Sequence, residues 1–291
     1  MTIPRSPSRQ SGLSVSTIRA SMAITLIALV AIILIPLQYL SVTLNLPSKR
    51  WIPVLFHRVN CLALGIHKTI NGAPIRDGAV LITANHCSWT DIVVLGSLQP
   101  LSFIAKSEVA SWPIFGLFAR LQRSIFVNRT KRSATGAVAK EIAQRLKEGD
   151  AMVLFAEGTS SDGNRVLPFR SALIGAAKAA MTSEQNGPQD GTGPQQKVWI
   201  QPLSIAYTAL HGVPMGRQHR HMAAWYGDMD LVPHLWALMK EGALDVSLTY
   251  GEPILFDPSV DRKEAAHAAE RSVRQTMLHD LHHYTSKRRR K

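Results

Sequence analysis

From Ala20 to Ser48 the chain carries no charged side chain. Within that window the run Met22 to Leu46 is long enough to cross a bilayer, which takes ~20 apolar residues. It is too long for a signal peptide, and no small-x-small cleavage site follows it. Pro36 stands inside the run, which predicts a kinked helix or one divided in two. A single span puts the two ends of the segment on opposite faces. A dip that returns at Pro36 puts both on the cytoplasmic face. Arg5, Arg9 and Arg19 before the run are matched by Lys49, Arg50 and Arg58 after it, so the positive-inside rule does not choose. Residues 1–19 read as a disordered basic N-terminus and 20–48 as a membrane anchor. Trp51 to Leu64 mixes apolar residues with His57 and Arg58. It predicts a helix lying on lipid headgroups, within an interfacial helical segment over 49–78.

The pattern then changes period. Short apolar runs at Ala79–Asn85, Leu101–Ala105, Ser124–Asn128, Ala151–Glu157, Val198–Thr208 and Asp245–Tyr250 predict strands. Between them, apolar residues at Ala134, Val138, Ile142 and Leu146 predict a helix over Arg132–Glu148, stopped by Gly149. Further helices are expected near Pro113–Leu121 and over the Ala-rich Ser171–Met181. Ser183–Gln196 reads as a polar loop. Asp261 and Glu264 form a capping box for a last helix with the stripe Ala266, Ala269, Val273, Met277, Leu281 and Tyr284. Strands alternating with helices give an α/β domain over 79–256, with a mixed, largely parallel sheet flanked by helices. Residues 257–291 complete the chain as a C-terminal helix and basic tail. In such sheets functional sites gather at strand ends.

Composition sharpens the picture. The 291 residues are 46% hydrophobic, enough for one large core plus an appendage. A formal net charge of +13 calls for an anionic partner: nucleic acid, an anionic lipid surface or an acidic carrier protein. Lys287 to Lys291 form a wholly basic end. Cys61 and Cys87 make no disulfide framework and point to a reducing compartment.

Candidate chemistry centres on Asn85-His86-Cys87-Ser88-Trp89-Thr90-Asp91. A histidine at a strand end, with a carboxylate in the next turn, is a compact general-base arrangement. The imidazole takes a proton near neutral pH, and the carboxylate fixes its tautomer and stabilises the imidazolium. With no enzyme serine in place, the proton comes from a substrate hydroxyl. Cys87 raises a Cys-His nucleophile as a rival, but neighbouring side chains on a strand point to opposite faces, so Cys87 is read as packed. A second stretch, Phe155 to Arg165, ends the Ala151 strand. Glu157 closes the apolar run, Gly158 allows a tight turn, and the hydroxyl and amide donors that follow suit a polar head group. Arg129 ends a third strand, where it can meet an anion. His279, His282 and His283 read as a solvated helix face, and no metal site is expected. Two other functions compete with this one. A serine lipid hydrolase lacks its Gly-x-Ser-x-Gly elbow here. A membrane-tethered nucleic-acid binder explains the charge but not the ordered motifs.

Those motifs carry a resemblance. Asn-His-x4-Asp at 85–91, Ile-Phe-Val-x-Arg at 125–129, Phe-x-Glu-Gly-Thr at 155–159 and an apolar strand holding Pro202 resemble the glycerolipid acyltransferase family from about Ala79 to Tyr207. Lys106-Ser107-Glu108, Ser160 to Arg165, Ala224-Trp225, Leu231 to His234 and Lys240 to Asp245 look like the lyso-ornithine lipid acyltransferases of alphaproteobacteria, over most of the chain. The resemblance implies His86 and Asp91 as catalytic residues. It implies Asn85, Ser88, Arg129, Glu157, Gly158, Thr159, Ser160 and Arg165 as substrate-binding ones. It implies no cofactor. The acyl donor would be a thioester of acyl carrier protein or CoA, and the acceptor a lyso-lipid. The expected setting is a bilayer with anionic lipids, at the cytoplasmic face of a bacterial inner membrane, with no nucleic acid bound. Three positions depart from the wider family, which commonly has Pro at Ala156, Arg at Ser160 and Gly at Arg123. Losing the arginine at 160 removes a bidentate phosphate ligand. This favours lyso-ornithine lipid, which has no phosphate, over a glycerophosphate acceptor, with Arg165 or Arg170 as alternative sources of the charge.

Overall fold

Ser14 opens the first helix by accepting a hydrogen bond from the Thr17 backbone amide, and α1 (Val15–Thr43) follows. The structure, a computed structural model, describes residues 14–76, 78–128, 134–172, 174–175, 198–256 and 259–284. Arg129, the loop Ser183–Gln196, the basic end Lys287–Lys291 and most of the expected helix Ser171–Met181 lie outside these residues.

Two expectations about the N-terminal region are corrected. Residues 15–19 are helical, and Pro36 lies inside one continuous helix, so the segment is not divided in two there. A proline removes one donor from the ladder; two residues on, Gln38 donates to the Lys49 and Leu121 carbonyls. The second correction concerns 49–78. A 3-10 turn (Pro47–Arg50) leads to α2 (Ile52–Leu64), which ends at Gly65 with φ +67°. A Cβ there would lie 2.8 Å from the Ala243 backbone nitrogen. The chain then becomes a strand, β1 (Ile66–Asn71), so the sheet begins before Ala79. Its sequence Ile-His-Lys-Thr-Ile-Asn is mostly polar because β1 is a half-exposed edge strand, and it lacks the apolar run that marks a buried one.

The remaining elements are β2 (Ala79–Ala84), α3 (Thr90–Gly96), β3 (Ser102–Lys106), a 3-10 turn (Ser107–Ser111), α4 (Phe115–Leu121), β4 (Ile125–Val127), α5 (Ala134–Lys147) and β5 (Met152–Phe155). There follow β6 (Val198–Leu210), β7 (Val213–Pro214), a 3-10 turn (Arg220–Met222), α6 (Leu231–Glu241), β8 (Leu244–Tyr250), β9 (Ile254–Phe256) and α7 (Arg262–His282). Sequence patterning missed α6, whose Pro233 falls in its first turn, where the missing N–H costs nothing. Asp261 caps α7, accepting from the Lys263 and Glu264 amides.

Among the described residues the strands form one sheet in the order β1-β8-β6-β2-β5-β3-β4, with β7 and β9 also on β6. The pairings β2–β5, β2–β6, β3–β5, β3–β4 and β1–β8 are parallel, whereas β6–β8 is antiparallel. The sheet is therefore mixed and largely parallel, with helices on both faces. Alternation along β2 and β5 separates two cores. Val80, Ile82, Ala84, Val153 and Phe155 join the layer containing Leu64, Val94 and Met239. Leu81, Met152 and Leu154 join the layer of α5 and α7, with Ile142, Ala269 and Val273. The parallel register sets the C-terminal ends of β2, β5 and β3 side by side.

Candidate active site

The turn after β2 is wound around one carboxylate. Asp91, with no exposed surface, sits in the first turn of α3. Its Oδ2 accepts from His86 Nδ1 at 2.7 Å and from the backbone amides of Cys87 and Ser88 at 2.8 and 3.0 Å. The Tyr207 hydroxyl on β6 donates to Oδ1 at 2.8 Å. With Nδ1 tied, Nε2 is the ring nitrogen that His86 has left for a reactant. The imidazole stacks on Phe155 with centroids 4.0 Å apart and planes 18° apart, so the end of β5 fixes its plane. Ser161 donates its amide to the His86 carbonyl at 2.8 Å, and Trp225 to the Cys87 carbonyl at 2.7 Å. Trp89 Nε1 donates to His234 Nδ1 on α6 at 3.0 Å. The turn is thus clamped from three sides.

Cys87 is buried, and burial, followed by the charges of Asp91 and Glu157, pushes its thiol well above the usual range. A thiol held in this way is a poor nucleophile, as its packed reading requires.

Several expected substrate-binding residues lie behind the turn. Asn85, fully buried, donates to the Ile205 carbonyl at 2.9 Å and accepts from the Ile205 amide at 2.8 Å. Both ends of its amide are spent on joining β2 to β6. Ser88 is also fully buried, its Oγ 3.4 Å from the Thr90 amide. Glu157 is 2% exposed, and its Oε1 accepts from the Leu167 amide at 3.2 Å. Burial pushes its carboxyl up to about 8, the Asp91 charge adding to this and the Leu167 and His86 amides opposing it. Gly158, Thr159 and Ser160, in contrast, line a cavity together with His86. Gly158 makes the turn at φ +78°, where a side chain would be strained. Arg165 is exposed and does not line that cavity. Arg129 lies outside the described residues.

The cavity is about 700 Å³. Its walls are mostly apolar: Ile27, Leu34 and Ile35 of α1, Phe56 and Leu64 of α2, Phe115 and Phe118 of α4, and Leu235 and Met239 of α6. Lys106, Glu108 and Asp228 bring charge to its lining. The register measures its depth. Phe155 pairs with Ala84, and Ile104 with Leu154, which puts Ala105 level with Phe155 and hence with the end of β2. Gln122, another lining residue, donates to the Leu101 carbonyl, just before β3. At ~3.3 Å per strand residue, the Gln122 side chain lies about 13 Å below the level of Ala84 at the end of β2. There it accepts from His57 Nε2 at 2.5 Å, and burial pushes that imidazole down to about 4, so it is neutral.

Tyr207, Trp89 and the His57–Gln122 pair were not singled out from sequence. Tyr207 sits in an apolar strand 116 residues from its partner, and nothing in the local pattern sets it apart. Among the described residues no cluster of His, Cys, Asp and Glu suited to a metal ion occurs.

Residues 67–219 match the protein-family model described as Acyltransferase. The chain is 45% identical to the lyso-ornithine lipid O-acyltransferase of Rhizobium meliloti (strain 1021) over 266 residues, 91% of this chain and 88% of that protein. It is 45% identical to the protein of the same description from Brucella abortus (strain 2308), over 89% of this chain and 94% of that one. The crystal structure of a 1-acyl-sn-glycerophosphate acyltransferase from Thermotoga maritima shares the fold, with a TM-score of 0.60 at 20% identity over 94% of this chain and all of the other.

Proposed function

The chain belongs to the acyltransferase family, and we propose that this lysolipid acyltransferase moves a fatty acyl group from an acyl thioester to the hydroxyl of lyso-ornithine lipid. The observation that carries the reading is the His86–Asp91 pair, set in the wall of a deep apolar cavity. Similarity to lyso-ornithine lipid O-acyltransferases over nine-tenths of the chain and Ser160 at the cavity wall support the choice of acceptor.

In this reading the donor's acyl chain lies in the cavity. His86 Nε2 takes the proton of the acceptor hydroxyl as the oxygen attacks the thioester carbonyl. The Nδ1–H bond to Asp91 holds the ring and stabilises the imidazolium. The C–O bond forms, the tetrahedral oxyanion collapses, and the C–S bond breaks. The leaving thiolate then recovers the proton from His86. The atoms balance with the thioester as sole co-substrate, and the scheme calls on no metal or further cofactor. A chain of net charge +13 suits either an acidic acyl carrier protein or anionic acyl-CoA as donor.

We place the enzyme on the cytoplasmic face of the bacterial inner membrane. α1 supplies the apolar surface, and both its ends are bound to the catalytic domain. Arg19 donates to the Met239 and Leu64 carbonyls, and Gln38 to the Leu121 carbonyl at 2.7 Å. A helix tethered at both ends lies along the domain, which supports immersion in one leaflet over a crossing that leaves the domain behind.

The test offers purified protein lyso-ornithine lipid or lysophosphatidic acid with one labelled acyl thioester. Lyso-ornithine lipid is expected to have the higher kcat/KM. Ser160→Arg is expected to move the ratio toward the phosphate acceptor by ~1.5–3 kcal/mol, the size of a charge-assisted bond. Equal or greater wild-type activity on lysophosphatidic acid removes the acceptor assignment.

A further inference from the structure

The carboxylate that orients His86 is itself oriented by two hydroxyls. Asp91 Oδ2 is shared among three donors: His86 Nδ1 and the amides of Cys87 and Ser88. Oδ1 receives the Tyr207 hydroxyl at 2.8 Å, with the Cys87 thiol at 3.8 Å as a weak second contact. The Tyr207 oxygen lies 2.6 Å from Thr90 Oγ1. Thr90 and Asp91 have no exposed surface, and Tyr207 is 4% exposed. A hydroxyl buried this deeply is costly unless bonded, and here each is satisfied by the next. Burial, followed by the charge of Asp91, raises the Tyr207 phenol well above its usual range. It therefore stays protonated and donates, leaving Thr90 to donate to Tyr207.

We infer that Tyr207, backed by Thr90, is a positioning residue. It fixes the Asp91 carboxylate so that Oδ2 faces His86, and it draws off part of the carboxylate's charge, which sets how firmly His86 keeps the proton it accepts. This rests on reading His86 as the base. The titratable groups facing Asp91 are His86 and Cys87 from its own turn, Tyr207 from β6 and Glu157 from the turn after β5. Of these, Tyr207 combines a strong hydrogen bond to Oδ1 with a side chain outside the turn, so its removal perturbs the pair without unwinding the loop.

The sign follows from the charge. A donor on a carboxylate weakens its hold on a neighbouring proton. Without the phenol, Asp91 holds the imidazolium more tightly, and His86 is freed as a base only at higher pH. Full-length Tyr207→Phe, Thr90→Val, Thr90→Ser and His86→Ala are compared with wild type, using an acyl-CoA thioester and whichever of lyso-ornithine lipid or lysophosphatidic acid the wild type acylates. Tyr207→Phe is expected to lower kcat roughly tenfold or more with KM near wild type, and to move the acid limb of the pH–kcat profile up by about half to one unit. Thr90→Val moves the limb the same way by less, and Thr90→Ser restores it. A Tyr207→Phe enzyme with wild-type kcat and profile, beside an inactive His86→Ala, overturns the positioning role and leaves the base reading intact. Lost activity with an unmoved acid limb marks Tyr207 as merely structural and also overturns it. Near-normal turnover by folded His86→Ala removes the base reading, and the inference with it.

Discussion

Glu157 is a buried acid beside the site. Its carboxyl is almost wholly enclosed, and burial holds its proton up to about pH 8. Below its ordinary value of 4.5 the group is protonated whether the chain is folded or not. Between 4.5 and 8 the unfolded chain releases the proton while the folded one keeps it. The folded state therefore loses stability as pH rises through this window and levels off above it. Glu157→Gln keeps the shape and removes the titration. At pH 8.5 the variant is expected to unfold roughly 4–10 °C above wild type, with the gap closing by pH 5. Thermal unfolding in detergent at the two pH values measures it, and a gap independent of pH counts against the buried acid.

Among the elements, the junction of α4, α5 and β5 is held by one acid. Asp150 receives Arg145 Nε at 2.6 Å, Arg123 at 2.8 Å and Arg50 at 3.0 Å. Burial pushes its carboxyl up, but Arg145, Arg123 and Arg50 together outweigh that and hold it below the usual range. Arg123 sits at φ +61°, a conformation that suits glycine, which is the residue the wider family commonly has there. The ion pair with Asp150 offsets the strain of a side chain at that place. Arg50 comes from the turn before α2, so the same acid ties the N-terminal helices to the sheet. Asp150→Asn is expected to destabilise the protein by roughly 2–4 kcal/mol at pH 7, since it leaves the partly buried Arg123 and Arg145 without their acid. The contribution is fully present above the ordinary carboxylate value of 3.8 and is lost as pH falls from there through the lower folded value, so the difference from wild type begins to shrink only below that value and is smaller at about pH 3. Denaturant titrations at both pH values are the check, and equal stabilities at pH 7 refute the arrangement.

At the level of the whole molecule, α1 has two faces with different work. One lines the cavity through Ile27, Leu34 and Ile35. The other is open, with Met22 68% and Ile33 61% exposed, and Trp51 and Leu62 on and beside α2 are exposed as well. An apolar face of that extent needs a covering, and a lipid leaflet supplies one. Replacing Met22 and Ile33 together by Glu is expected to reduce co-flotation with anionic vesicles severalfold, while the thermal midpoint stays within about 2 °C of wild type, because neither residue packs inside. What binding remains is expected to fall with added salt, as attraction between a basic protein and anionic lipid does. Undiminished flotation of the double variant shows that α1 is not the membrane-facing surface.

The sequence by itself determined the class of fold, the anchor-like helix and the His86–Asp91 pair. These rest on local facts: apolar runs of strand length, an uncharged run of span length, and two side chains close enough along the chain to meet across one turn. It did not determine which residues face the cavity. Asn85, Ser88 and Glu157 adjoin Ser160 and His86 in their motifs, yet face Ile205, the α3 turn and Leu167. Whether a side chain in a turn points into a cavity or behind it depends on the backbone path, which neighbouring strands dictate. Nor did local pattern expose β1, whose edge position excuses it from an apolar run, or Tyr207, which meets Asp91 only because β6 lies beside β2. Contacts across the sheet join residues more than a hundred positions apart, and no periodicity within a strand encodes its partner. The tertiary structure alone decided them, through the order and register in which the strands pair.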